Sequence, residues 1–184
     1  MLHMEQKISF EIIAAIMREP MHARAIAKKL GTNHMAVVRG LKALVVENAV
    51  DFQAEGRNKV YFPKKSLEAR NFAVMAELYR LNKTIEKYPE LRAIIESIQK
   101  NPKIGLAMLF GSYAKGIART DSDIDIFIES EDRKIKQEIE LLNSKLIVKI
   151  GSYDRDNLLI KEIEKNHVMI KGAETYYERN RFFY

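Results

Sequence analysis

Three times in the first 45 positions, apolar residues recur at helical spacing: Phe10, Ile13, Ala14 and Met17, then Ala23, Ile26, Ala27 and Leu30, then Val37, Leu41, Leu44 and Val45. The first set predicts a helix from about residue 6 to residue 19, stopped by Pro20. The second places Lys28 and Lys29 on a wet side and Gly31 where a left-handed residue turns the chain. A third helix, capped by Thr32 or Asn33, turns Met35, Arg39 and Lys42 away from its inward stripe, with His34 near its start. The period then changes to two. Val50 to Ala54 and Lys59 to Phe62 alternate on either side of Glu55-Gly56-Arg57-Asn58, which predicts a β-hairpin with a basic tip.

Helical spacing returns in Phe72, Met75, Ala76 and Tyr79 and again in Leu91, Ile94, Ile95 and Ile98, with Pro89 in the first turn of the second helix. From Ile104 to Phe110 the chain is almost continuously apolar, as in a buried strand, and it breaks at Gly111-Ser112. Ile135, Ile139 and Leu142 predict a helix, Leu146 to Ile150 a strand, Leu159 and Ile163 a helix, and His167 to Gly172 a last strand. The tail ends in Tyr176, Tyr177, Phe182, Phe183 and Tyr184, an aromatic density that predicts docking onto the body or a partner subunit.

Composition narrows the chemistry. With 47% hydrophobic and 30% charged residues the chain has the balance of a globular protein, and its 184 residues suit two compact units. The net charge of +6 is concentrated at one end. Residues 1–65 carry 11 Lys and Arg against 6 Asp and Glu, whereas residues 66–184 carry 20 against 19, so phosphate attraction is expected of the N-terminal part. The absence of cysteine excludes disulfides, thiolate metal sites and cysteine nucleophiles, leaving carboxylates or histidines to hold any metal. No apolar run reaches the roughly 20 residues of a membrane span, and Met1 to Gln6 lacks a signal-peptide pattern, so a cytoplasmic location with no membrane partner is expected.

The order helix, helix, tight turn, helix, hairpin resembles the winged helix-turn-helix domains, most closely over Ala25-Ile26-Ala27-Lys28-Lys29-Leu30-Gly31 and Val37-Val38-Arg39-Gly40-Leu41-Lys42-Ala43-Leu44. That resemblance implies double-stranded DNA as partner, read by the third helix and the wing through Asn33, His34, Arg39, Lys42, Arg57 and Lys59, and a homodimer matched to a two-fold site. A module used purely for protein interaction or dimerisation is the alternative.

The chemistry lies in Gly111-Ser112-Tyr113-Ala114-Lys115-Gly116, followed by Ser122-Asp123-Ile124-Asp125-Ile126. On a strand Asp123 and Asp125 share one face while Ile124 and Ile126 point into the core. Two like charges so placed call for a cation, and hard oxygen ligands suit Mg²⁺ completed by water and phosphate oxygens. The Gly111-Ser112 turn offers backbone N–H groups and a hydroxyl to a triphosphate, with Lys115 adding positive charge. The joint pattern resembles the DNA polymerase beta superfamily of nucleotidyltransferases, in particular its minimal branch. The resemblance implies nucleoside triphosphate contacts at Gly111, Ser112, Lys115 and Ser122, and catalytic, Mg²⁺-binding roles for Asp123 and Asp125.

One part of that pattern is missing. Active relatives carry a third carboxylate within a later strand, and in Leu146-Ile147-Val148-Lys149-Ile150 the matching slot is expected to hold Lys149, whose ammonium repels a metal and can pair with Asp123 or Asp125. Asp154 is expected to cap a helix beginning near Arg155. The expected architecture is therefore mixed α/β: a winged helix-turn-helix over 1–65, a helical connector over 66–100 and a small mixed-sheet nucleotidyltransferase fold over 101–184. Two functions stay open: a DNA-binding regulator whose second domain binds nucleotide, and an enzyme moving a nucleotidyl group onto a protein or small-molecule hydroxyl. An antitoxin-like role is a third.

Overall fold

The computed structural model describes residues 2–183, with side chains from Lys7 onward, so the docking expected of Tyr184 lies outside the described residues. The chain forms two compact units, one running through Tyr79 and including the end of the chain from Tyr177, the other spanning Arg80–Tyr176. Among the described residues no helix is long and apolar enough to cross a membrane.

The first unit is built from α1 (Leu2–Ile16), β1 (Met21–His22), α2 (Ala23–Leu30), α3 (His34–Val46), β2 (Val50–Glu55) and β3 (Asn58–Pro63). Helix α1 ends earlier than its spacing predicts, because the residue before Pro20 is pushed out of helical geometry. Its buried face is also rotated by one position. Ile12, Ile13 and Ile16 are in the core, while Phe10 turns toward α4 (Leu67–Lys87) and stacks with Phe72 and Tyr79 at 6.5 and 5.6 Å. Gly31 ends α2 at φ +60°, and the Thr32 N–H returns to the Ala27 carbonyl at 3.0 Å, the C-terminal closure its position predicts. Asn33 caps α3, its Oδ1 accepting from Met35 N–H at 2.7 Å. The hairpin turn is two residues, Gly56 and Arg57, with φ +60° at Gly56, the first central position. Strand β1, too short to leave a periodic signal, pairs with β3 through Met21–Tyr61 and His22–Val60, giving the sheet order β1-β3-β2.

Helix α4 buries Ala69, Ala73 and Ala76, whereas Met75, expected on its inward stripe, is exposed. Small residues rather than long ones face inward, which lets its neighbours approach closely. The tail closes this unit. Tyr177, Phe182 and Phe183 cluster with centroids 5.6 to 6.5 Å apart, the Tyr177 hydroxyl donates to Glu77 at 3.1 Å, and Arg70 pairs with Glu178 at 2.6 Å.

The second unit contains α5 (Leu91–Lys100), β4 (Ala107–Phe110), α6 (Gly111–Ala114), β5 (Ile124–Glu129), α7 (Arg133–Glu140), β6 (Leu146–Gly151), α8 (Leu158–Lys165), β7 (Val168–Lys171) and most of α9 (Ala173–Arg179). Its sheet runs β6-β5-β4-β7, with β4 antiparallel to β5 and β7, and β5 parallel to β6. Leu109, Ile124, Ile126, Ile128, Leu146 and Val148 point to one side and join Leu91, Ile94, Ile95 and Ile98 of α5 and Ile135 and Ile139 of α7 in a single core. Thus α5 covers one face of this sheet instead of acting as a spacer. Pro89 lies before its first turn, and Leu142, expected on α7, is exposed beyond its end. By alternation Met108, Phe127 and Met169 face the other way, and they too are buried, so both faces are covered along most of the sheet. Helix α8 starts later than expected and is capped by Asn157, whose Oδ1 accepts from Leu159 N–H at 2.8 Å; Asp154 instead accepts from Asp156 N–H at 2.9 Å in the preceding turn.

Candidate functional site

Antiparallel pairing of β4 and β5 sets Phe110 opposite Asp125, which brings the turn after β4 to the start of β5. The consequence is a close approach at Gly111. Its φ is +69°, and a Cβ there would collide with Asp125 Oδ2 and lie 3.1 Å from Asp125 Cγ. Only glycine meets both demands, the left-handed backbone and the space taken by a carboxylate. The Asp125 side chain is thereby held against the first turn of α6, whose opening N–H groups have no intrahelical acceptor. Ser112 is half-buried there, and its hydroxyl has no hydrogen-bond partner among the described residues.

Asp123 precedes β5 and is exposed; Asp125 is half-buried. Burial first, and then the negative charge of Asp123, push the Asp125 carboxyl above its ordinary range, while Lys149 acts in the opposite sense. The two carboxylates therefore stand close enough to repel. Lys149 projects from the same side of the sheet, yet it is opposite Phe127, and the residue of β6 in register with Asp125 is Ile147. Lys149 thus shares the face of Asp125 and its charge acts on that carboxyl, but it stands one pleat beyond the position in register with it. Its side chain is exposed and forms no salt bridge with either aspartate among the described residues. No group of three or more histidine, aspartate or glutamate side chains suited to a metal occurs among the described residues.

The loop between α6 and β5 is fastened at several points that sequence reasoning missed. Lys87 donates to the Gly116 carbonyl at 2.6 Å, Ala118 N–H donates to the Tyr88 hydroxyl at 3.1 Å, and Lys145 donates to the Thr120 carbonyl. Tyr88 in turn packs edge-on against Tyr113 at 4.8 Å, and Tyr113, its hydroxyl kept protonated by burial and by Glu90, donates to Glu90 at 3.3 Å. Ser122 is part of the same fastening, accepting from Arg119 N–H at 2.9 Å, so its hydroxyl is occupied in shaping the loop. Lys115 is exposed beside this turn, and its charge also reaches Glu162, whose carboxyl is held low chiefly by Lys165. No local periodicity marks Lys87, Tyr88 or Lys145, because each acts 25 or more residues away.

In the first unit the residues singled out for DNA contact do not share one surface. His34, Arg57 and Lys59 line one concavity between α3 and the hairpin, joined by His22 and Arg24, which carry no signal of their own in the sequence. Lys59 lies over the Phe52 ring at 3.6 Å, which steadies its stem. Arg39 lines a different cavity, on the side of α3 toward α1. Lys42 is exposed, and Asn33 spends its side-chain oxygen on the cap.

Residues 92–180 match the family model described as polymerase beta, nucleotidyltransferase, and so form a nucleotidyltransferase-fold domain. The match takes in all four strands of the second sheet and the Gly111, Ser112, Asp123 and Asp125 positions. Neither a curated protein nor a solved structure matches the chain.

Proposed function

We propose that the protein is a DNA-binding regulator whose nucleotidyltransferase-fold domain binds a nucleoside triphosphate with Mg²⁺ and does not transfer it. The observation that carries the nucleotide reading is the seating of Asp125 on Gly111, with Asp123 beside it. Two repelling carboxylates next to a turn rich in backbone N–H groups suit a hard divalent cation that shares its remaining coordination with phosphate oxygens. These residues fit Mg²⁺: Asp123 and Asp125 hold it, Gly111 and Ser112 receive the phosphates, and Lys115 adds positive charge at the rim. Bound there, the ion neutralises phosphate charge. The chain's own contribution is orientation, since Lys87, Tyr88 and Lys145 fix the loop that brings these groups together.

Transfer requires more. Neither Ile147, in register with Asp125, nor Lys149 beyond it supplies a carboxylate, so an acceptor hydroxyl has no base on β6 and a second metal lacks a ligand. The Lys149 ammonium further weakens cation affinity through its field. Lys149→Asp is expected to tighten Mg²⁺ binding measured by calorimetry.

The DNA reading rests on the winged helix-turn-helix resemblance, on the charge of residues 1–65 and on the basic concavity between α3 and the hairpin. In this reading the hairpin is the wing and α3 enters the major groove, and a homodimer presents two copies to a two-fold site. Incubation of the full chain with labelled nucleoside triphosphates, Mg²⁺ and duplex DNA tests both parts. Retained label that washes out with excess unlabelled nucleotide, together with a mobility shift lost at high salt, is the expected result. Covalent label abolished by Asp123→Asn restores the enzyme.

A further inference from the structure

Beside the crossing of α1 and α3 lies a cavity of about 400 Å³. It exists because α3 turns three small residues to this side: Ala36, Gly40 and Ala43 form one wall. Gly40 marks the closest approach, since a Cβ there would stand 2.7 Å from Ile12 Cδ1. Ile8 and the Tyr79 ring supply further apolar surface, and the Tyr79 hydroxyl donates to Glu11 at 3.4 Å. Two cations also line it, Lys7 and Arg39, both exposed and neither hydrogen-bonded nor ion-paired among the described residues. Glu11 is thus engaged while the positive charges are not, and the volume falls in the range of small-molecule sites.

We infer that this cavity is an effector site for a small amphiphilic monoanion of the aromatic carboxylate class. Its ring lies on the Ala36, Gly40 and Ala43 wall, and its carboxylate is held by Arg39 and Lys7. A guanidinium pairs with a carboxylate in a fixed fork, so an occupied site commits Arg39 to the ligand. Arg39 is also one of the residues that the winged helix-turn-helix resemblance assigns to DNA contact, so in that reading the ligand and a DNA phosphate compete for one side chain. This consequence rests on the DNA-binding reading; the ligand site itself does not.

The test uses the full chain with 1-naphthoate and its uncharged analogue 1-naphthalenemethanol, followed by calorimetry, and then duplex binding with and without saturating naphthoate. Naphthoate is expected to bind at least about tenfold more tightly than the alcohol, with that preference lost in Arg39→Gln. Ala43→Leu, which fills the wall from an exposed position, is expected to abolish binding with an unchanged melting temperature. Duplex affinity is expected to fall roughly tenfold with naphthoate bound. Equal binding of acid and alcohol, or naphthoate binding untouched by Ala43→Leu, overturns the site. Should Ala43→Leu unfold the protein, the Arg39→Gln comparison decides alone. Naphthoate binding that leaves duplex affinity unchanged overturns the competition, whereas naphthoate binding by a protein with no duplex affinity at all overturns the DNA reading and leaves the ligand site standing.

Discussion

A single missing methyl group organises the second unit's site. At Gly111 the backbone must be left-handed and the Asp125 carboxylate must occupy the space a side chain would take. Gly111→Ala is therefore expected to cost about 2–4 kcal/mol, from backbone strain and overpacking together. Gly31 is the control, because it has φ +60° with nothing within 4 Å of its would-be Cβ, so Gly31→Ala is expected to cost only about 1 kcal/mol. Denaturant unfolding of both variants checks the difference. Asp125 carries the opposite lesson, that a half-buried carboxylate beside a second one is held at the expense of stability. Its carboxyl titrates above its ordinary 3.8, so the folded state binds the proton more tightly than the unfolded chain does. The penalty is full above the raised pKa and fades as pH falls through it toward 3.8. Asp125→Asn is accordingly expected to raise the melting temperature of metal-free protein at neutral pH, and a pH series should show that gain shrinking on acidification. A gain that grows toward low pH contradicts this origin.

At the scale of elements, the sequence carried most of the architecture and misplaced several faces. Helices α2 and α3, the hairpin, and the Gly-Ser and Asp-x-Asp strands are legible because each has a strong local signal: Gly31 as terminator, Asn33 as cap, alternation about Gly56, and isoleucines flanking Asp125. The rotated face of α1 was not legible, since Phe10 and Ile12 are equally apolar and only tertiary packing decides which meets α3. Nor was the register of β6, where a shift of one pleat exchanges Ile147 for Lys149 beside Asp125. In the proposed DNA-binding role the hairpin tip and α3 would act together, because Arg57 and Lys59 share a concavity with His34. Reversing both charges with Arg57→Glu and Lys59→Glu should weaken duplex binding across all sequences and reduce its salt dependence by about one unit of slope for each phosphate that is no longer neutralised. Affinity measured between about 50 and 200 mM salt gives that slope. An unchanged slope contradicts the proposed contact of the hairpin with DNA.

For the whole molecule, the sequence placed a basic module before a nucleotidyltransferase fold, and residues 92–180 carry that fold. Less legible was how the chain divides. Helix α5 reads as a connector by position, yet it supplies Leu91, Ile94, Ile95 and Ile98 to the core of the second unit, and the aromatic tail from Tyr177 returns to the first. Pairings across such distances leave no local pattern. In the proposed function the second unit binds nucleotide through a two-carboxylate cation site. Calorimetric titration of the full chain with a non-hydrolysable nucleoside triphosphate, with and without Mg²⁺, is the decisive measurement. Saturable binding that requires Mg²⁺ and disappears in Asp125→Asn is the predicted result; binding indifferent to Mg²⁺ and to Asp125, or no binding at all, contradicts it.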